Sequence, residues 1–182
     1  MRVLAALMMT LGFALAPAAA QEVVRFDASN STLGFEGRFG GEPVPGVFHR
    51  FSGNVLWHPT DPLATRFEVE IEVGSLDTDY PDRDEVLRDP DWFDVASHPT
   101  ARWVSTGGCA LDGGGLDCPG ELTLRGVTRP VPIRVEASAD GRVLSGRATV
   151  NRRDFGVGGG EWDDPKTIAD EVTVTFTLRP AF

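Results

Sequence analysis

Residues 67–105 read FEVEIEVGSLDTDYPDRDEVLRDPDWFDVASHPTARWVS. Phe67, Val69, Ile71 and Val73 alternate with Glu68, Glu70 and Glu72. A period of two puts the apolar set on one face of a strand and the carboxylates on the other, which has to meet water. The pattern changes after Gly74. Asp82 stands three residues before Glu85, the spacing of a helix capping box. Val86 and Leu87 give that turn an apolar side, and Asp89-Pro90 ends it, because a residue before proline avoids helical angles. Trp92 and Phe93 follow between two aspartates, and TARWVS resumes the strand pattern. A short helix and two large aromatics are thus inserted between strands, well placed to plug or cap an opening.

The same period recurs on both sides. Residues 23–27 and 32–37 read as strands separated by Ala-Ser-Asn-Ser, and Gly40-Gly41 with the 43–45 stretch reads as a loop. Residues 47–51 alternate, Gly53 marks a turn or bulge, and residues 54–57 resume. Further strands fall at residues 100–105, 121–125, 131–136, 142–150 and 172–178. Regular turns with only one or two short helices, near residues 82–93, predict an all-β chain: a single antiparallel β-barrel of about eight strands.

Composition narrows the function. The chain has 182 residues, 27 acidic against 17 basic, and a formal net charge of −10. Such a surface repels nucleic acid and anionic lipid headgroups. Residues 1–20 read as a signal peptide: Arg2, an apolar run to Ala16, then Ala18-Ala19-Ala20 as the cleavage site. The remainder, residues 21–182, suits one exported domain. Cys109 and Cys118 flank ALDGGGLD, and a hairpin about those glycines would bring them face to face. In an oxidising compartment they should form a structural disulfide. Catalytic and metal signatures are weak. His49, His58 and His98 share no ligand spacing. The acidic cluster from Asp77 to Glu85 lacks the EF-hand pattern. No serine stands in a nucleophile elbow, and Gly156 to Gly160 lacks the lysine and serine of a phosphate loop. No enzyme activity, catalytic residue, metal or cofactor is expected.

The inward apolar set comprises Phe67, Val69, Ile71, Val73, Leu122, Leu124, Val131, Ile133, Val135, Val174 and Phe176. Periodicity alone favours an ordinary packed core over a cavity wall. Five segments bear on that choice: LDT with DRDEVLRDPDWFD, HPTARWVST, GELTLRGVTRPVPI, NRRDFGVGGGEW and VTVTFTL. In this order they resemble the YceI-like family, periplasmic polyisoprenoid-binding proteins with a lipocalin-like barrel. Many members carry a histidine soon after the first strands, where Arg38 or Phe39 stands here. The resemblance implies a lipid-binding protein that sequesters or carries an isoprenoid chain, polyprenyl or quinone-type, inside the barrel. Ten buried carbons would contribute about 8 kcal/mol before ordering costs. It adds Leu87, Trp92, Phe93, Trp103, Phe155 and Trp162 to the cavity wall and makes Arg38 and Arg153 candidate headgroup contacts. Arg83 is expected to pair with local aspartates, and Arg152-Arg153-Asp154 to be a solvated loop pair. The DFGVG-x-GEW run resembles a branch linked to membrane b-type cytochromes, which makes an accessory module of such a cytochrome the alternative. The partners expected are an isoprenoid lipid or quinone, that cytochrome, and a second copy of the chain.

Overall fold

A computed structural model describes residues 22–58 and 61–179. The signal segment expected at residues 1–20 lies outside them. Among the described residues fourteen strands form two antiparallel sheets, and their pairing resolves into eight long strands. The first runs as β1 (Glu22–Asp27) and β2 (Thr32–Phe39), the second as β3 (Glu42–Phe48) and β4 (Phe51–Trp57). The third is β5 (Arg66–Glu72) with β6 (Leu76–Asp77), the fourth β7 (Thr100–Ser105) with β8 (Ala110–Asp112). The fifth joins β9 (Gly115–Cys118) to β10 (Gly120–Leu124), and the sixth joins β11 (Val127–Pro130) to β12 (Ile133–Ala137). β13 (Leu144–Asn151) and β14 (Glu171–Leu178) complete the set. Each long strand pairs with the next: β1 with β4 and β2 with β3, β4 with β5, β5 with β7, β8 with β9, β10 with β11, β12 with β13, and β13 with β14. The last pairs back onto the first, with Val174 opposite Phe35 and Phe176 opposite Leu33. The result is an eight-stranded up-and-down circuit of the lipocalin type, in which six long strands bend from one sheet into the other.

The bends explain why some sequence signals misled. Residues 47–51 do not form one strand, because β3 passes into β4 at His49 and Arg50. Residues 43–45 are strand rather than loop. Pro43 and Pro45 face Arg38 and Glu36 of β2, while β6 reaches only Val47 and Phe48, so that stretch of β3 is an edge where a missing N–H is tolerated. Gly53 is not a turn. A Cβ there would lie 2.4 Å from the Phe26 ring and 2.3 Å from the Glu68 carbonyl oxygen. Gly46 under Phe35 and Gly146 under Phe176 repeat the arrangement, at 2.3 and 2.4 Å. Large rings therefore lie against the barrel wall where glycine leaves room.

An up-and-down circuit sends alternate connections to opposite ends. One end gathers the Gly40-Gly41 hairpin, residues 78–99, the Arg125-Gly126 hairpin and residues 152–170. The 78–99 insert carries the helix α1 (Pro81–Arg88). Its N-cap is Tyr80, with Pro81 opening the first turn and no side-chain cap bond, so Asp82 does not cap it. The aspartate that acts here is Asp84, buried, whose Oδ1 accepts from the Thr78 N–H at 3.0 Å and the Thr78 hydroxyl at 2.5 Å. The helix ends at Arg88, before Asp89-Pro90. The other end holds the disulfide Cys109–Cys118, both fully buried, across the hairpin of β8 and β9.

Candidate functional site

The barrel is half filled and half hollow. Phe26, Val55, Leu116, Val135 and Leu144 pack the end that carries the disulfide. Beyond them lies a cavity of about 570 Å³, within the size range of small-molecule pockets. Its wall draws on every long strand and on both inserts. Val69, Ile71, Leu122, Leu124, Val174 and Phe176 line it and are only partly buried, because their inward faces meet empty space. Trp103 lies deep, its indole N–H donating to the Val131 carbonyl at 2.8 Å, so its polar atom is satisfied within the wall. Leu87, Trp92 and Phe93 bring the insert into the same wall, with Phe67, Val73, Val131, Ile133 and Trp162.

Two expected wall residues do not reach the cavity. Val135 is fully buried in the filled half, since alternation gives the face of a strand but not the depth along the barrel. Phe155 is 2% exposed and packs in the 3-10 turn Arg152–Phe155, against β11. Other wall residues went unanticipated. Phe35 and Phe48 meet at a tilt, 5.2 Å between centroids, and Phe48 meets Phe93 edge-on at 6.4 Å. Their alternation was legible, but Gly37 and Gly46 interrupt it.

Charge is confined to the insert end. Arg38, Asp82, Arg83 and Arg152 are the charged members of the wall among the described residues. Arg38 donates from Nη1 to the Gly41 carbonyl at 3.0 Å and stands 3.7 Å from Glu36. Arg83 does not pair with aspartates. Its Nε donates to the Thr78 hydroxyl at 2.8 Å, its Nη2 to the Thr78 carbonyl at 2.7 Å, and its guanidinium lies 5.6 Å from the centre of the Tyr80 ring. Arg153 turns away from the cavity, pairing with Asp163 at 3.0 Å and Asp170 at 3.8 Å.

Arg152 is no solvated loop residue. It is 3% exposed, and each of its five N–H groups meets a carbonyl. Nε donates to Ala169, Nη1 to Val157 and Gly158, and Nη2 to Trp162 and Ile168, at 2.7–3.1 Å. Burial holds its pKa below the ordinary value, and the nearby Asp170 opposes that shift. One side chain thus gathers the 152–170 insert around itself. Further bonds tie the end together. Arg125, at φ 50°, donates to the Gly156 carbonyl in one insert and to the Pro90 carbonyl in the other. The N–H groups of Gly158 and Gly159 donate to the Asp91 carbonyl, and Trp92 and Trp162 lie 5.8 Å apart. At the root of the other insert, Arg88 donates to the carbonyls of Gly74 and Leu76. There His49 also bonds Asp77 at 3.0 Å, which with the Asp79 N–H keeps that carboxyl below its usual pKa.

Among the described residues no three His, Cys, Asp or Glu side chains are grouped to hold a metal. A deep apolar chamber with cations only at its capped end suits an amphiphile with a long apolar tail. Comparison with known proteins finds relatives in sequence and in fold. Residues 25–179 match the model of the YceI-like domain. A UPF0312 protein of Pseudomonas syringae pv. tomato is 31% identical over 141 residues, 73% of this chain and 72% of its own. The crystal structure of Burkholderia cenocepacia BcnA superposes with a TM-score of 0.80 at 28% identity, over 86% of this chain and 99% of that one. A polyisoprenoid binding domain from Saccharophagus degradans, implicated in plant cell wall breakdown, shares the fold at a TM-score of 0.63 and 17% identity, over 88% of this chain and all of its own.

Proposed function

This chain belongs to the YceI-like domain family, and on that premise we propose that it binds the tail of an isoprenoid lipid, polyprenyl or quinone-type, inside the barrel. It sequesters or carries that lipid in the periplasm, and its mechanism makes and breaks no bonds. The observation that carries the reading is the polarity of the chamber: apolar throughout its depth, charged only where the two inserts close it. A tail enters first and loses its water, while a polar headgroup stays beside Arg38 and Arg83. The polyisoprenoid binding domain named above supports the choice of tail through its shared fold. The disulfide fits an oxidising compartment.

Native mass spectrometry of the protein purified from a membrane extract tests this. A discrete added mass, released by organic solvent and identified as an isoprenoid, is expected. Protein that remains at its bare mass after incubation with prenyl lipids and quinones would sink it. The accessory-module reading rests on the resemblance of residues 154–162. It would be favoured if a tagged chain recovered a b-type cytochrome from membranes.

A further inference from the structure

The rim of the chamber is apolar on its outer side too. Phe39 is 53% exposed, Tyr80 57% and Val86 37%, and the same three residues belong to the chamber wall. Phe39 ends β2 beside the Gly40-Gly41 hairpin; Tyr80 and Val86 sit on the α1 insert. Each is open to solvent and also lines the chamber, so apolar surface leads from the outside to the interior. We propose that this rim docks on the surface of a zwitterionic lipid bilayer, so that a lipid tail passes between membrane and chamber without crossing water. The proposal rests on the carrier reading above and names the surface that loads it.

Three observations select that occupant. First, the rim residues also line the chamber, so whatever covers the rim also covers the way in. A tail leaving toward water would expose each methylene in turn, whereas a tail leaving into acyl chains exposes none. Second, the rim chemistry is interfacial. Tyr80 carries a polar tip on an aromatic body, and Arg83 lies over its ring. Arg38, whose side chain is 55% exposed, flanks Phe39. Aromatic rings with arginines beside them settle where one side is greasy and the other wet. Third, charge at the rim is mixed. Arg38 with Glu36 and Glu42 on the β2–β3 hairpin, and Arg83 with Asp82 on α1, carry both signs, on a chain of net charge −10. Headgroups carrying both signs match this pattern, and an anionic surface opposes it.

Vesicle flotation of the disulfide-bonded protein tests the idea. With phosphatidylcholine vesicles a fraction of the protein should float, and doping them with phosphatidylglycerol at low salt should reduce that fraction. Exchanging Phe39→Ser, Tyr80→Ser and Val86→Ser together should lower the partition on the order of tenfold. Val69→Trp, which narrows the chamber, should float like the parent. Unchanged flotation of the triple variant would overturn the proposal, as would a preference for anionic vesicles. Loss of flotation in Val69→Trp would overturn it too, since association would then depend on the chamber and not the rim. A concentration-dependent dimer abolished by the rim exchanges would instead assign this surface to a second copy. The two readings fail separately: flotation without a lipid adduct sinks the carrier, and an adduct without flotation sinks the docking.

Discussion

At the scale of single residues, Arg152 is the side chain on which the closed end depends. Five N–H groups answered by five carbonyls make a buried guanidinium tolerable, because each removed partner would leave a polar group dry. Lysine offers three donors on a point charge and cannot reproduce the planar fork. Arg152→Lys should therefore leave at least two carbonyls unpaired and lose about 2–4 kcal/mol. At roughly 2–4 °C per kcal/mol for a chain of this size, the melting temperature should fall by about 4–16 °C. Arg153→Lys, which alters only partly exposed ion pairs with Asp163 and Asp170, should cost under about 1 kcal/mol. Thermal melts followed by circular dichroism compare the two; equal losses would remove Arg152 from its central position. Sequence could not have ranked these neighbours. Both sit in Arg-Arg-Asp, and only the 3-10 turn that begins at Arg152 sends one inward and the other outward.

Elements were legible to the extent that their signals are local. The alternation of residues 67–72 and the Asp89-Pro90 stop report on near neighbours and appear as read, although the strand ends at Glu72 and Val73 opens a 3-10 turn. The cap at Asp82 did not, because Thr78, Tyr80 and Asp84 arrange the turn through contacts that the capping-box spacing ignores. The prolines of β3 misled for a related reason: they break a strand only where a second neighbour needs their N–H, and β6 is too short to be that neighbour. The β8–β9 hairpin was legible because two independent signals coincide, paired cysteines and the Gly113-Gly114 turn, both at positive φ as a tight hairpin requires. Its disulfide closes a loop of separation 9, for which chain entropy gives about 2.5 kcal/mol. Cys109→Ala with Cys118→Ala, or reduction of the parent, should therefore lower the melting temperature by about 5–10 °C. The hairpin lies at the filled end, so lipid capture measured by native mass spectrometry should persist below the new transition. Capture lost well below that temperature would mean that the hairpin shapes the chamber.

At the scale of the whole molecule, the question is whether the barrel is hollow, and alternation along strands cannot answer it. Val69 and Val135 look alike in sequence: each is an inward position of an alternating strand. One faces the void and the other is sealed among neighbours, because the first lies toward the inserts and the second toward the disulfide. Depth is set by how far the bends and the inserts hold the two sheets apart, and that is a property of the closed circuit rather than of any segment. A single substitution reads it out. In a solid interior, Val69→Trp would force off-rotamer side chains and cost about 1–3 kcal/mol or more. In a chamber of about 570 Å³, which Val69 lines, the indole has room inside the barrel. The expected outcome is a melting temperature equal to the parent's or a few degrees higher, as cavity filling gives, together with loss of the lipid adduct in native mass spectrometry. A variant that is destabilised and still carries lipid would place the ligand elsewhere. A stable variant that has lost its lipid assigns the hollow half of the barrel to the tail.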